Sequence, residues 1–311
     1  MAEGGAAGPA AAVIIRSEYE HKSLGKAGTG EVQRRLSWFE RLSNIDSVRK
    51  YTVLVGVLVI WELYTIVADV PPLMFSSFSD TAAALVNALV NEGLLQNIWN
   101  SISTLFKGYV IGIGIAVVLV TLGVTTRFGT DLLTTLTAML NPLPAIALLP
   151  MAMIWFGLGE AAIIFTLLHS IIWPVALNMH TGFLGVSETQ RMVGRNYGLK
   201  NIRYIVKILM PAAFPSILTG LRIGWAYAWR TLIAAELVFG GQVMDTSGQM
   251  GAKGSNAGGL GWIIFQNQMD LRIPYVFAGL LSVILVGVLI ENLIFRTIEE
   301  RTVRKWGMQK A

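Results

Sequence analysis

Six long apolar stretches constrain this chain of 311 residues more than any other feature. Each is close to or above the ~20 residues that a helix needs to cross the hydrocarbon core of a bilayer. Lipid cannot satisfy backbone polar groups, so a spanning segment is a helix or part of a closed barrel, and the alternation of barrel strands is missing here. We therefore predict transmembrane helices at residues 52–68, 98–124, 132–156, 161–180, 217–239 and 274–295.

The composition supports an all-α integral membrane protein. Only 14% of the residues are charged and 54% are hydrophobic, whereas a soluble domain has about 25% charged residues. The chain has no cysteine, which excludes a disulfide framework and a thiolate metal site. Its three histidines lie far apart in the sequence and have no metal-ligand spacing. We predict neither a metal nor a cofactor bound by this chain.

Lysine and arginine are distributed unevenly among the connections. Nineteen of the 24 lie in the two terminal segments and in every second connection between the stretches. Two lie in the remaining connections, and three lie inside the stretches themselves. Because cytoplasmic loops are enriched in these residues, both termini are predicted to be cytoplasmic. The predicted location is the bacterial inner membrane, which the chain crosses several times.

This topology defines three regions. Residues 1–50 are a polar cytoplasmic leader without the apolar run of a secretory signal. The leader holds either a short amphipathic helix within residues 31–50 or a flexible tail. Residues 51–298 form the six-span domain, and residues 299–311 form a cytoplasmic tail.

Two external connections have features of their own. After a pair of prolines, Ser79 is predicted to cap a surface helix over residues 79–92. Residues 240–261 are rich in Gly, Ser and Asn and predict a flexible loop, followed by a short helix at residues 261–269.

The basic cytoplasmic connection at residues 181–216 carries the most specific pattern. A glycine within helix-forming sequence costs ~1 kcal/mol, so Gly198 predicts a turn between two short helices. The neighbouring side chains combine an aromatic group with polar and cationic groups, as protein interfaces favour; the alternative is that they only satisfy the membrane topology. The segment comprises Arg195, Asn196, Tyr197, Gly198, Leu199 and Lys200.

This connection resembles the cytoplasmic loop of ABC importer permeases, which carries Glu-Ala-Ala-x-x-x-Gly followed further along by Ile-x-Leu-Pro. Gly198, Ile208 and Pro211 fit that pattern. The departures from it are Met192, Val193, Gly194 and Met210. Three other segments are similar to the branch that imports nitrate, bicarbonate, taurine and alkanesulfonates, at residues 147–160, 218–224 and 234–241.

The resemblance covers residues 50–307 and implies a type I ABC importer permease fold with six transmembrane helices. The segment around Gly198 would be a coupling helix that docks on a cytoplasmic ATPase subunit. The implied partners are a second copy of the chain, two ATPase subunits that bind ATP, and an extracytoplasmic solute-binding protein. The implied solute is small and anionic, of the nitrate, bicarbonate, taurine or sulfonate class.

The fifth stretch carries a polar and aromatic stripe. At 100° per residue, Arg222, Trp225, Trp229 and Glu236 share one side of the helix, with Arg230 at the edge of that side. Ionisable residues inside spans usually face the bundle interior or a water-filled cavity. The stripe is therefore predicted to line the translocation path.

Asn141 is a further candidate for the path, because it opens an Asn-Pro-Leu-Pro interruption of the third stretch. Broken helices often surround transport sites, although a purely structural kink is the alternative. Alternatives also stand for the two arginines. Arg222 would extend to the headgroups, and Arg230 would pair with a carboxylate on another span, such as Glu62 or Glu291.

The predicted function is the membrane-spanning permease subunit of an ATP-driven importer. The chain has no Gly-rich loop ending in Gly-Lys-Ser/Thr, so ATP hydrolysis is expected on a separate subunit and the chain itself is not expected to be an enzyme. The alternatives are a lipid-modifying membrane enzyme, for which clustered boundary Asp, His or Arg residues would be needed, and a proton-coupled secondary transporter.

Overall fold

The computed structural model describes residues 46–199, 201–239 and 258–305, and every regular element in these ranges is helical. The chain divides into two compact units, Met1–Val57 and Leu58–Ala311. The helices are α1 (Asp46–Val67), α2 (Phe78–Asn91), α3 (Leu94–Thr125), α4 (Arg127–Leu140), α5 (Leu149–Phe156), α6 (Glu160–Leu184), α7 (Glu188–Asn196), α8 (Asn201–Tyr204), α9 (Met210–Phe239), α10 (Leu260–Met269), α11 (Ile273–Ile290) and α12 (Thr297–Glu299). A 3₁₀ turn precedes α5, and π-helical turns precede α9 and flank α12, at Ala145–Leu148, Ile205–Leu209, Glu291–Arg296 and Glu300–Arg304.

Within the described residues, five helical segments are long and apolar enough to cross a membrane, and α4 with α5 makes a sixth if the pair is counted as one bent span. The five segments are Val48–Val67, Leu94–Thr125, Glu160–Leu184, Ile205–Val238 and Ile273–Arg304. The predicted all-α membrane fold is thus confirmed. The third span is interrupted, as the sequence predicted, and α4 and α5 meet at 89°.

The bend between α4 and α5 follows from the prolines at its apex. Pro142 and Pro144 have no N–H group and cannot continue the helical hydrogen-bond ladder. The carbonyl of Leu140 instead accepts a hydrogen bond from the Leu143 N–H at 3.1 Å, which closes a tight turn. The interruption predicted from the sequence is therefore a corner in the chain.

Helix α6 is the centre of the packing. It lies between α3 and α9, and 67% of its apolar window is buried, against none of the window of α1. Gly224 of α9 lies against Val175 of α6, where an added Cβ would come within 2.8 Å of the Val175 side chain. Close packing of α6 and α9 places the middle of both helices beside the corner between α4 and α5.

Helix α2 begins with a different cap from the one predicted. Ser77 is the N-cap residue, and its side chain accepts a hydrogen bond from the Asp80 N–H. Ser79 lies inside the first turn, where its N–H and hydroxyl donate to the Glu62 carboxylate at 3.1 and 2.7 Å. The prediction of Ser79 as the cap was wrong, because the Ser79 side chain donates to a carboxylate of α1 instead of capping α2.

The connection predicted at residues 240–269 fits the prediction where it is described. The short helix predicted at residues 261–269 is confirmed as α10, whereas most of the predicted flexible loop lies outside the described residues. Where α11 begins, Arg272 donates to Glu92, and this hydrogen bond raises the pKa of the Arg272 guanidinium.

The connection predicted at residues 181–216 is shorter in the structure. Helix α6 continues to Leu184, and the next span begins at Ile205. Pro211 falls in the first turn of α9, where the missing N–H breaks no ladder bond of that helix. The sixth span likewise passes its predicted end and reaches Arg304 through π-helical turns. Residues 1–45 of the leader, Lys200 and the last six residues lie outside the described residues, whereas residues 46–50 belong to α1.

Candidate translocation cavity and cytoplasmic turn

A cavity of about 520 Å³ opens at the corner between α4 and α5. One wall is the corner itself, and the other walls come from the middle of α6 and α9. Its lining consists of Asn141, Pro142, Leu143, Pro144, Ala145, Ile146, His169, Ser170, Pro174, Tyr227, Arg230, Thr231 and Ala234. The corner thus creates a space of small-molecule size within the spans.

Arg230 brings a positive charge to this cavity. Its side chain is exposed, and its guanidinium carbon lies 5.9 Å from the centre of the Tyr227 ring. Among the described residues, no carboxylate lies within 4.0 Å of the guanidinium nitrogens. The two suggested partners are engaged elsewhere, Glu62 with Ser79 and Glu291 with Arg222, so the predicted alternative of a pair with Arg230 is not observed.

The wall opposite the corner is polar. The hydroxyls of Ser170 and Thr231 hydrogen-bond at 2.8 Å across the α6–α9 contact. His169 adds a buried Nε2 atom that has no hydrogen-bond partner within the described residues. Sequence reasoning missed Ser170, Thr231 and Tyr227 as cavity residues, because only the helix packing shows that they face the corner.

The predicted stripe of α9 divides between two environments. Trp225, Trp229 and Glu236 are buried, with 8%, 8% and 5% of their surface exposed. They lie within the helix packing of the subunit, so their position gives no support to a lining role. The cavity brings together Asn141 and Arg230 from the predicted set.

Arg222 lies in a separate ion-pair cluster in the first half of α9. Its guanidinium approaches Glu291 at 2.9 Å and Glu299 at 2.8 Å. It also lies 6.0 Å from the centre of the Phe295 ring. Arg222 is therefore compensated by two carboxylates, and the predicted extension to the headgroups is not needed to explain it.

The turn after α7 has the local geometry that the sequence predicted. Gly198 has φ +66°, in the left-handed region that glycine adopts readily. The N–H groups of Gly198 and Leu199 close the end of α7 on the carbonyls of Arg195 and Gly194, at 2.9 and 3.1 Å. The adjacent Tyr197 is 81% exposed, which leaves an aromatic ring free at the tip of the turn.

The structure explains one departure from the permease pattern, the glycine at position 194. It is buried against the next turn of the chain, and an added Cβ would come within 2.7 Å of the Tyr204 ring and 2.9 Å of Ile208. Beside this contact lies a recess of about 250 Å³. Its lining is Thr189, Gln190, Val193, Lys207, Ile208, Pro211 and Ala212.

Comparison with known proteins matches residues 108–304 to the family described as "binding-protein-dependent transport system inner membrane component". The chain is 28% identical over 260 residues to a putative ABC transporter permease protein of Methanocaldococcus jannaschii, covering 81% of this chain and 90% of that protein. It is 26% identical to the nitrate import permease protein of a Synechocystis strain, covering 79% and 86%. It is also 26% identical to the taurine transport system permease protein of Escherichia coli, covering 83% and 90%.

Proposed function

The chain belongs to the family of binding-protein-dependent transport system inner membrane components, and from that premise we propose that it forms the membrane path of an ATP-driven importer for a small anionic solute. Membership makes it a multi-pass membrane protein and an ABC importer permease of the nitrate, taurine, sulfonate and bicarbonate branch. The class of the solute, the energy coupling and the subunit arrangement are the proposal.

The observation that carries the anionic solute is the charge of Arg230, which has no carboxylate partner among the described residues. Three cations lie inside the apolar stretches predicted from the sequence. Lys107 pairs with Glu160 at 2.7 Å and Arg222 pairs with two carboxylates, whereas Arg230 faces a cavity without a carboxylate partner among the described residues. A hydrated cation in a cavity raises the local anion concentration. The site must stay weak, because tight binding would block release.

The polar groups around Arg230 suit a passing anion. The Asn141 amide and the hydroxyls of Ser170 and Thr231 line the same cavity, and such groups can replace part of the hydration shell of a small ion. We propose Arg230 and Asn141 as path residues. The buried Trp225 and Trp229 hold α9 in place, since aromatic side chains of this size dominate packing energetics.

The exposed turn at Gly198 is proposed to dock on an ATPase subunit. Tyr197 and Arg195 are both free to contact a partner, because the Tyr197 ring is exposed and the Arg195–Glu188 pair is a long 3.5 Å surface pair. Aromatic and arginine side chains are common anchors of protein interfaces. Lys200 belongs to the same proposed contact.

The proposed assembly has two copies of this chain, two ATPase subunits and an extracytoplasmic solute-binding protein, with both termini in the cytoplasm. Family membership supports the ATPase and the binding protein as partners. The pairing of two copies is proposed because one chain supplies one docking turn, and two ATPase subunits need two of them.

Uptake by the reconstituted complex tests the proposal. Proteoliposomes holding this chain and its ATPase, with the binding protein outside, are given labelled nitrate, bicarbonate, taurine or an alkanesulfonate. We expect saturable uptake of one of these anions that requires ATP on the ATPase side. Uptake of a cation such as choline in preference to all four anions, or uptake that is independent of ATP, would contradict it.

A further inference from the structure

The buried carboxylate of Glu236 binds the beginning of another helix. Glu236 lies near the external end of α9, and 5% of its surface is exposed. The Gly261 N–H donates to its Oε2 at 2.9 Å. The Ser101 hydroxyl of α3 lies 2.8 Å from both carboxylate oxygens. The first turn of α10 thus rests on a carboxylate supplied by α9.

Ser101 extends this contact by one more amide. Its Oγ accepts a hydrogen bond from the Leu260 N–H at 2.8 Å, while its proton goes to Glu236. The first two N–H groups of a helix have no partner within the helix. Here they are Leu260 and Gly261, and both are satisfied by side chains from other helices. A negative charge at this end also interacts favourably with the helix dipole.

The residue that would normally supply the cap is a glycine. Gly259 is the N-cap residue of α10, has extended backbone angles and offers no side-chain hydrogen bond. A Cβ on Gly259 would collide with the Glu236 carboxylate, and a Cβ on Gly261 would lie 2.6 Å from the Glu236 Cβ. The two glycines leave room for a cap that comes from α9.

We propose that Glu236 is a positioning residue, which caps α10 from α9 and makes the external helix follow the outer end of α9. A local cap would stabilise α10 wherever it lay. A cap held by α9 and α3 stabilises α10 only in register with those two helices. The donation from Asn100 of α3 to the Gly258 carbonyl at 3.0 Å fixes the same register.

A cap-exchange experiment separates positioning from simple capping. Glu236→Ala removes the three atoms that lie nearest to an added Cβ at residue 259, and the backbone of Gly259 already has the extended conformation of an N-cap. Glu236→Ala combined with Gly259→Asp therefore gives α10 a local cap without a link to α9. The full chain is studied in lipid, and Ile264→Cys is added as a probe, since Ile264 is 3% exposed and the chain has no cysteine.

Two readouts are followed, amide hydrogen exchange of residues 260–269 and thiol labelling of the cysteine introduced at position 264. In Glu236→Ala, both the exchange and the labelling should become about tenfold faster. In the cap-exchanged variant, exchange should return to the wild-type rate, while labelling of the introduced cysteine should stay at least about fivefold faster.

Ser101→Ala is the milder variant if Glu236→Ala accumulates poorly, and it should accelerate both readouts in the same direction. Ser282→Ala is its control, since Ser282 is equally buried but bonds only the Ala278 carbonyl in its own helix. Unchanged exchange of α10 in Ser101→Ala and Glu236→Ala would overturn the cap. If hydrogen exchange and thiol labelling both return to their wild-type rates in the cap-exchanged variant, Glu236 acts only as a cap and the positioning role is overturned. Neither readout depends on solute uptake, so the proposed function is tested separately.

Discussion

Arg230 is the residue on which the proposed path depends most. Arg230→Gln removes the uncompensated charge from the cavity and is expected to lower anion uptake at least about tenfold, because electrostatic attraction raises local anion concentration by that order. Arg230→Lys should retain more uptake, since charge rather than a fixed guanidinium geometry is required. The measurement is uptake in proteoliposomes normalised to the yield of assembled complex.

Arg127→Gln is the matched control for this loss of charge, because Arg127 is exposed at the start of α4 and does not line the cavity. It should leave uptake unchanged. Normal uptake by well-assembled Arg230→Gln would eliminate the path role of Arg230.

Arg222 is expected to act on stability instead of transport. Its side chain and that of Glu299 are 36% and 20% exposed, so their pair is screened less than a surface pair. A double-mutant cycle with Arg222→Gln and Glu299→Gln should give a coupling free energy of about 1 kcal/mol for unfolding in detergent. The exposed Arg296–Glu300 pair serves as the control and should give about 0.3–0.5 kcal/mol. Equal coupling in both pairs would contradict a structural role for the Arg222 cluster.

At the scale of single residues, the sequence located the polar side of α9 but not its surroundings. A stripe of Trp, Arg and Glu is unsuited to lipid, whether it faces water or the inside of the subunit. Packing decides between the two, and it buries Trp225, Trp229 and Glu236 while leaving Arg230 at the cavity. The role of Glu236 depends on contacts with Ser101 of α3, 135 residues away along the chain, and with Gly261 of α10, 25 residues away. No local sequence pattern predicts contacts over such separations.

Among the elements, the turn after α7 gives the sharpest test. The space around Gly198 is open to an added Cβ, so only its positive φ restricts the residue type. Gly198→Val should therefore strain the turn and reduce co-purification of the ATPase subunit or uncouple ATP hydrolysis from uptake. Gly198→Asn should be tolerated, because asparagine adopts the left-handed region at low cost. A Gly198→Val complex that assembles and couples normally would contradict the coupling assignment.

The sequence predicted the elements well where a local rule governs them. Proline identified the interruption after Leu140, and glycine identified the turn at residue 198. The angle of 89° between α4 and α5 was not predictable, because a proline removes a hydrogen bond without setting the new direction. Element ends also moved, as in the cytoplasmic connection, since tertiary packing extends helices through residues that composition assigns to loops.

For the whole molecule, the arrangement of charges was the most informative signal. Hydropathy gives the number of crossings, and the distribution of Lys and Arg gives their direction. The family follows from motifs spread along the chain and is supported by the match over residues 108–304. The packing around α6 could not be read from hydropathy, because the mean hydropathy of its apolar window, 1.7, is close to the 1.6 of the α1 window, none of which is buried.

The orientation of the whole chain remains a prediction that labelling can test directly. The chain has no cysteine, so single cysteines report their own side of the membrane. An impermeant thiol reagent added to intact spheroplasts should label Asn91→Cys, at the end of α2, and Ser255→Cys, which lies outside the described residues. Asn196→Cys, at the end of α7, should react only after the membrane is opened, because the Lys- and Arg-rich connections are retained in the cytoplasm. Labelling of Asn196→Cys in intact spheroplasts would reverse the orientation. It would also remove the docking turn from the side on which ATP is hydrolysed.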